Sequence, residues 1–385
     1  MTRDQTPLGQ LIRPAKARRA ATTTYPILSM TMHSGLVDQS NKFKKRVASA
    51  DTSQYRVVTR SQLVVGFPID EGVLSFQRLY DEAIVSPAYD VWDLIDDHSI
   101  DTSYLERFLR SPKALSFYRS KLRGTTARRR TLPDDIFLSL MIPVPRLPEQ
   151  RRIAAILDQA DALRAKRRAV LAGLDTLTNS VFIEMFGDPA TNPMRWPLMP
   201  IGKVGRVITG NTPSRAVPEY FGNDIEWIKS DNINTPEFFV TPATEGLSTA
   251  GRAVARVAPP SSILVTCIAG SPDCIGNSAM TDRPVAFNQQ INALIPEQGD
   301  ADFIYAQFLV GKRLIQQAST SSMKGMVCKS RFENVQIMFP PADLQRDFAQ
   351  RVSAIRRLRE QMSESLAQLD ALFASLQHRA FRGEL

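Results

Sequence analysis

Two stretches of the chain, residues 148–186 and 343–381, carry apolar side chains at alternating steps of three and four positions. A spacing of 3.5 residues is typical of helices that pack along their whole length against one partner helix. Prolines precede both stretches and Gly187 and Gly383 follow them, as expected at helix ends. Each stretch therefore predicts a long helix. The predicted helix–helix seam consists of Ile153, Ile156, Leu163, Val170, Leu174 and Leu177 on the first helix, and of Phe348, Ile355, Leu358, Met362, Leu369, Leu372 and Leu376 on the second.

The two stretches are also similar to each other in sequence. When one is shifted by 195 residues, Gln150 aligns with Gln345 and Arg164 aligns with Arg359. A repeat at a fixed period indicates that one structural unit occurs twice. Two helices with matching seams in one chain most simply pack on each other, so we predict an antiparallel coiled coil. The alternative, in which each helix pairs with another protein or another copy, stays open.

The segments that precede the two helices are similar in size and contain short apolar runs between Gly, Pro, Asn and Ser residues. Such runs predict strands, listed as Arg56–Phe67, Ile225–Ile228, Ser262–Ile268, Ala279–Ala286, Ala293–Pro296 and Val335–Phe339. Shorter helices are predicted over Thr102–Lys121 and from Ala301 to about Gln317. The predicted fold class is α+β, with two globular domains separated by two long helices in a pseudo-repeat of about 195 residues. The predicted boundaries are 1–145, 146–188, 189–340 and 341–385.

The excess of basic over acidic residues indicates a polyanionic partner. The chain of 385 residues has 48 Lys and Arg against 39 Asp and Glu, a formal net charge of +9. Basic clusters lie at 13–19, 42–46 and 128–130, and together they favour a nucleic-acid surface over an ordinary solvated face. The three cysteines and three histidines have no zinc-site or disulfide spacing. No uninterrupted apolar run of membrane-spanning length and no signal peptide is present, so we expect a cytoplasmic protein without membrane contact.

No catalytic motif accompanies the basic residues. The sequence has no GxxxxGK[ST] phosphate loop, no GxGxxG that opens a helix, and no Asn/Asp-Pro-Pro-aromatic loop of an amino-methyltransferase. The acidic run Asp90, Asp93, Asp96, Asp97 and Asp101 fits no metal-ligand spacing of a nuclease, so we interpret it as a solvated loop or helix face. We therefore predict neither a catalytic site nor a metal site in this chain.

Several segments share the conserved features of one protein family. At the long helices stand IPVPRLPEQRRIAAILDQADAL (142–163), LDTLTNSVFIEMFGDP (174–189), PPADLQRDFAQRVSAI (340–355) and LQHRAFRGEL (376–385). Between them lie WPLMPIGKVGRVITGNTPSR (196–215), WIKSDNI (227–233), ILVTCIAGSPDCIGNSAM (263–280) and FNQQINALIP (287–296). The first set resembles the central and distal conserved regions, and the second set a target recognition domain, of Type I restriction–modification specificity (S) subunits. The resemblance covers nearly the whole chain and departs from the family pattern at ADLQ (342–345), where the first helix has LPEQ.

The resemblance implies a division of labour within a larger complex. Each of two target recognition domains would recognise one half of an asymmetric, bipartite double-stranded DNA target, and the helices would set the gap between the halves. The helices would also dock two methyltransferase (M) subunits, which restriction–motor (R) subunits join. The chain itself would be non-catalytic and would bind no cofactor, because S-adenosylmethionine, ATP and magnesium are expected on the partner subunits.

Candidate DNA-contacting residues follow from chemistry, since Lys and Arg bind phosphates while Arg, Lys, Asn, Gln, Ser and Thr recognise base edges. In the first domain they are Lys42, Lys44, Lys45, Arg46, Arg128, Arg129 and Arg130. In the second domain they are Thr212, Ser214, Arg215, Lys229, Ser230, Asn232, Asn234, Lys324, Lys329 and Arg331. For each residue alone, a merely solvated role stays open. The run Asn288-Gln289-Gln290 is interpreted as structural, with its amides bonded to backbone groups.

Two other functions remain open from the sequence. The chain could be a non-catalytic interaction scaffold on which the basic surface is incidental, or a specificity subunit of a system that only methylates. A stand-alone nuclease is disfavoured because no metal-ligand constellation is present.

Overall fold

The computed structural model describes residues 5–32, 34–42, 51–96, 98–122, 132–320 and 325–385. The chain divides into two compact units: unit 1 comprises residues 1–167 and 365–385, and unit 2 comprises residues 168–364. Each unit therefore contains one half of each long helix, a division that the sequence did not predict.

Unit 1 is built from short strands and helices around one main core. Its elements are β1 (Gln5–Pro7), β2 (Ile12–Pro14), β3 (Leu28–Thr31), β4 (Gly35–Asp38), α1 (Gln39–Lys42), β5 (Arg56–Thr59), β6 (Leu63–Val65), β7 (Leu74–Phe76), β8 (Glu82–Val85), β9 (Asp90–Leu94), α2 (Thr102–Leu109), α3 (Pro112–Lys121), α4 (Asp134–Leu138), β10 (Met141–Pro143), the first half of α5 (Leu147–Phe186) and residues 365–382 of the last helix. Strands β2, β9, β6 and β7 form an antiparallel sheet in that order, and β1 pairs with β10.

Unit 2 has a larger set of strands. Its elements are the second half of α5, β11 (Leu198–Pro200), α6 (Ile201–Val204), β12 (Gly205–Thr209), β13 (Phe221–Ile228), β14 (Gly246–Leu247), α7 (Thr249–Val254), β15 (Val257–Ala258), β16 (Ile263–Thr266), β17 (Ile268–Ala269), β18 (Ser278–Met280), β19 (Val285–Phe287), β20 (Ile291–Pro296), α8 (Ala301–Val310), α9 (Lys312–Gln317), β21 (Gly325–Met326), α10 (Lys329–Glu333), β22 (Gln336–Met338) and residues 342–364 of α11 (Ala342–Arg382). One sheet has the order β12–β20–β16–β18, and a second has the order β14–β13–β19–β15 with β13 parallel to β19.

These elements correct several predicted boundaries. The strand predicted over Ala279–Ala286 is two strands, β18 and β19, because the polar turn Thr281-Asp282-Arg283-Pro284 separates them. The helix predicted over Thr102–Lys121 is also divided: Ser111 accepts a hydrogen bond from the Ala114 amide and starts a new helix with Pro112 at its first turn. Gly311 divides the second predicted helix into α8 and α9: it ends α8, where its amide donates to the Gln307 carbonyl, and it precedes α9 without a side-chain cap.

A buried glutamine joins each long helix to its unit. In unit 1, Gln150 accepts a hydrogen bond from the Asp101 amide (2.8 Å) and donates to the carbonyls of Pro145 (2.8 Å) and Ser99 (3.0 Å). In unit 2, Gln345 accepts from the Asp300 amide (2.9 Å) and donates to the carbonyl of Pro340 (2.7 Å). Asp101 and Asp300 cap α2 and α8 respectively, so each glutamine fixes a helix start against a long helix.

The two long helices run in opposite directions within each unit. In unit 1, Ile153 and Phe381 share one core, while Arg164 farther along α5 forms an ion pair with Asp370 earlier in α11. In unit 2, Arg359 forms an ion pair with Asp175 at 2.7 Å. The 195-residue shift aligns Arg164 with Arg359 and Asp175 with Asp370. The two ion pairs are therefore equivalent contacts in which α5 and α11 have exchanged roles.

Five of the thirteen predicted seam residues are displaced by one position. Leu163 and Leu372 in unit 1, and Val170, Leu177 and Leu358 in unit 2, are exposed instead of packed. In each case the next residue along the helix is buried or half-buried instead. These residues are 164, 171 and 178 on α5 and 359 and 373 on α11. The remaining seam residues are buried or half-buried.

At two of the five positions, after Leu163 and Leu358, the residue that is less exposed is an arginine, Arg164 or Arg359. Arg164 lies over the ring of Phe373, with 4.3 Å from its guanidinium carbon to the ring centroid, while the charge is paired with Asp161 and Asp370. A long arginine stem can cover apolar surface when its head group is satisfied. A prediction from apolar residues alone leaves out Arg164 and Arg359 and assigns the preceding leucines, Leu163 and Leu358, to the seam.

One helix among the described residues, α5, is long and apolar enough by composition to cross a membrane. A single such helix is weak evidence for a membrane span. Ile153 near its start and Phe186 at its end are fully buried in the cores of unit 1 and unit 2 respectively.

Candidate nucleic-acid interface

Three polar loops of unit 2 meet at the carboxyl ends of β12, β13 and β19. The Asn211 amide donates to the carbonyl of Phe287 at 3.1 Å, and the Asn288 amide donates to the carbonyl of Ile228 at 3.0 Å. The Gly210 amide donates to the carbonyl of Ile291 at 3.0 Å. The loops that start at 210, 229 and 288 therefore form one connected edge, which we call the loop edge.

Gly210 makes this close approach possible. A Cβ atom at this position would lie 2.2 Å from the carbonyl oxygen of Asn288 and 2.4 Å from that of Phe287. Contacts that short do not occur between real atoms, so the first and third loops can meet in this way only at glycine.

Two cations of the loop edge lie against aromatic rings and share one carboxylate. The guanidinium carbon of Arg215 is 4.6 Å from the Phe221 ring centroid, and the Lys229 ammonium is 5.2 Å from that of Trp227. Glu245 bonds to both, with 2.7 Å to Lys229 Nζ and 3.0 Å to Arg215 Nη2. Hydrogen bonds from Arg215 and then Lys229 hold the pKa of the Glu245 carboxyl below its usual value. Glu245, which the sequence analysis did not select, thus keeps both cations in place and neutralises part of their charge.

We expect Glu245→Gln to strengthen non-specific DNA binding and to make it more sensitive to salt. The substitution removes the carboxylate that neutralises part of the charge of Arg215 and Lys229, so both cations bind phosphates more strongly, and log K falls more steeply with log salt, by up to about 0.9 in slope for each phosphate neutralised. Titrations of a random-sequence duplex at several salt concentrations measure the slope. Asp231→Asn, at an exposed residue of the second loop, makes the same change in net charge. Equal slopes for the two variants would contradict a role for the Glu245 ion pairs.

The other second-domain candidates divide into exposed and internally bonded residues. Thr212 and Ser214 are exposed on the first loop, and Ser230 lies 3.5 Å from Gln290. Asn232 uses its amide within the fold, because it accepts from the Lys229 amide (3.0 Å) and donates to the Pro242 carbonyl (3.0 Å). Asn234 accepts a hydrogen bond from Asn277 at 2.7 Å.

The last group of second-domain candidates lies on or before α10. Lys329 is 3.6 Å from Glu333, and Arg331 donates to the Ala318 carbonyl at 3.3 Å. Lys324 lies outside the described residues.

Most first-domain candidates also lie outside the described residues. Lys44, Lys45, Arg46, Arg128, Arg129 and Arg130 belong to that group, while Lys42 is the last residue of α1. In the described basic cluster at 13–19, Lys16 is exposed and Arg18 is ion-paired with Glu82 at 2.6 Å.

The described acidic and sulfur-containing residues have separate structural roles. Asp93 accepts from Gln62 at 2.7 Å, Asp96 accepts from the His98 amide at 2.9 Å, and Asp101 caps α2. Asp97 lies outside the described residues. Cys267 is buried, which raises the pKa of its thiol to about 12. Across the described part of the chain, no group of three or more His, Cys, Asp or Glu residues could hold a metal ion.

The chain is similar to known proteins over part of its length. Residues 193–370 match the family model of the Type I restriction modification DNA specificity domain. The chain is 30% identical over 169 residues to the HindI specificity subunit of Haemophilus influenzae, and 28% identical over 164 residues to the MjaIX specificity subunit of Methanocaldococcus jannaschii. These matches cover 42% and 41% of this chain, and the chain spans only 36% and 37% of the length of these relatives.

The fold is also similar to solved structures. A chain from a study of complex assembly and conformational transition in the type I R-M system is similar with a TM-score of 0.63 at 18% identity, over 100% of this chain and 98% of that one. The S subunit of a Type I restriction–modification system from M. genitalium is similar with a TM-score of 0.55 at 14% identity, over 98% and 96%. The mixed helix-and-strand fold predicted from the sequence is thereby confirmed. The family-model match and the two specificity-subunit relatives confirm the resemblance.

Proposed function

Because residues 193–370 match the family model of the Type I restriction modification DNA specificity domain, we propose that the chain is the DNA-sequence-specificity subunit of such a complex. The observation that carries the proposal is the loop edge of unit 2, whose loops are connected by backbone hydrogen bonds. These loops hold polar side chains and two cations, Arg215 and Lys229, that lie against aromatic rings. Cations bind phosphates and fix register, while polar side chains distinguish bases.

In this proposal each half of the chain recognises one half of a bipartite target. The domains are residues 1–145 and 189–340, and the helices at 146–188 and 341–385 form an antiparallel coiled coil that sets the gap between half-sites. The matching roles of Gln150 and Gln345, and of the Arg164–Asp370 and Arg359–Asp175 ion pairs, support a pseudo-repeat. Two recognition domains on one chain also gain affinity from effective concentration when their spacing matches the target.

The exposed stripe is the proposed docking surface for two methyltransferase subunits: Leu163 and Leu372 would dock one of them on unit 1, and Val170, Leu177 and Leu358 would dock the other on unit 2. The α5 residues recur every seven positions and so share one side of the helix. Apolar side chains grouped on a surface mark interaction sites. Leu163 and Leu358, like Leu177 and Leu372, are aligned by the 195-residue shift, which supports two equivalent docking sites.

The chain would therefore direct chemistry that its partners perform. S-adenosylmethionine would be bound by the methyltransferase subunits, and ATP and magnesium by restriction–motor subunits. The assembly would act on double-stranded DNA in the cytoplasm.

Sequencing of modified bases tests the function. DNA from cells that express this chain with its methyltransferase partner is expected to carry methylated adenine in a motif of two short defined halves and a fixed undefined gap. A continuous motif would contradict two recognition domains. No motif, with an active and bound methyltransferase, would favour the interaction scaffold.

A further inference from the structure

The turn between β19 and β20 holds one exposed glutamine on a rigid base. Asn288 is buried, its Oδ1 accepts a hydrogen bond from the Gln290 amide at 3.0 Å, and its Nδ2 donates to Gln290 Oε1 at 3.1 Å. The structural interpretation of the run Asn288-Gln289-Gln290 therefore fits Asn288, while the Gln290 side chain accepts from the side chains of Asn288 and Ser230. It does not fit Gln289, which is exposed at the tip of the turn.

The side chain of Gln289 is oriented from a neighbouring loop. The hydroxyl of Thr212 donates a hydrogen bond to Gln289 Oε1. Thr212 is itself positioned by Gly210 and Asn211, whose amides bond to the carbonyls of Ile291 and Phe287. An exposed glutamine that is held on both sides loses less side-chain entropy when it binds a ligand.

The hydrogen bond from Thr212 leaves part of the Gln289 amide unused. An amide oxygen accepts two hydrogen bonds and its nitrogen donates two. Among the described residues, the Gln289 nitrogen donates no hydrogen bond, and its oxygen retains one acceptor position. A free donor beside a free acceptor complements adenine in the major groove, where N7 accepts and the N6 amino group donates. Guanine presents two acceptors there and satisfies only the donor.

We propose that Gln289 recognises the edge of an adenine in the second half of the DNA target, and that Thr212 is the positioning residue that orients its amide. The inference rests on the proposed function and specifies one base of the target and the two residues that recognise it. Arg215 and Lys229, on the same loop edge, supply the phosphate contacts that hold the duplex in register.

The test uses the complete complex of this chain with its methyltransferase, and sequencing of modified bases as the measurement. With Gln289→Ala, one adenine position of the second half-site is expected to become degenerate, with discrimination falling about 10-fold or more, while the first half-site is unchanged. Thr212→Val is expected to relax the same position, and Thr212→Ser, which keeps the hydroxyl, to restore it. Gln298→Ala is the matched control, since Gln298 is an exposed glutamine beyond the other end of β20.

An unchanged motif in the Gln289→Ala complex would overturn the inference while the wild-type motif upholds the proposed function. Absence of a bipartite motif from the wild-type complex would instead defeat the proposed function. If the variant methylates too slowly to give a motif, binding competition is measured instead. The competing duplexes differ at one A·T pair of the second half-site at a time. Loss of the preference for adenine at one pair supports the inference, and preferences equal to wild type at every pair overturn it.

Discussion

Phe186→Ala is expected to lower the free energy of unfolding of unit 2 by about 3 to 5 kcal/mol. Phe186 is fully buried at the end of α5, and its ring centroid lies 4.9 Å from that of Phe303 and 5.7 Å from that of Phe348. Alanine would remove these ring contacts and leave a cavity where α5, α8 and α11 meet. The loss combines transfer free energy with the cost of that cavity.

Denaturant unfolding followed by tryptophan fluorescence measures this loss, since two of the three tryptophans, Trp196 and Trp227, lie in unit 2. Ile183→Ala is the control, because Ile183 is exposed on the same helix and its truncation should cost less than about 0.5 kcal/mol. Equal losses for the two variants would show that the Phe186 cluster does not stabilise unit 2.

The second large effect concerns the exposed stripe. The double variant Val170→Lys/Leu177→Lys is expected to weaken binding to the methyltransferase subunit by about 100-fold or more, because it places two charges in an apolar interface. Adenine methylation should be lost with it. Both side chains are exposed on α5, so the substitutions leave the core of unit 2 intact. Calorimetric titration with the isolated methyltransferase subunit measures the affinity.

A matched variant adds the same charge to another side of the helix. Ala172 and Asn179 are exposed, are also seven residues apart, and lie across α5 from the exposed stripe. Ala172→Lys/Asn179→Lys should bind the methyltransferase nearly as well as the unchanged chain. If both double variants bind with equal affinity, the exposed stripe is not the docking surface.

The existence and length of the long helices were predictable, but the face that packs was only partly so. The periodicity located residues 148–186 and 343–381 because an apolar repeat over many turns is a strong signal. The inward direction depends on Arg164, which lies over the Phe373 ring, and on Arg359; both are neutralised by aspartates about 200 positions away in sequence. A pattern of apolar letters carries no information about such a distant partner.

The candidate site was predictable by residue type and less so by position. Arg215 and Lys229 were selected from the sequence because a positively charged side chain is by itself a candidate phosphate contact. Glu245 was missed and Gln289 was interpreted as structural because their surroundings depend on which loops meet, and the pairing of β13 with β19 decides that. Gly210 gave a usable signal, since glycine after a strand often marks close backbone approach.

The division of α11 between the units has a consequence for protein synthesis. Residues 168–364 of unit 2 are continuous, so its core is complete once they have left the ribosome. The core of unit 1 needs Phe373 and Phe381 against Tyr104 and Phe108, and must wait for residues 365–385. We therefore expect the amino-terminal unit to finish folding last, the reverse of the usual vectorial order. Until then its unfinished apolar surface is a natural substrate for chaperones.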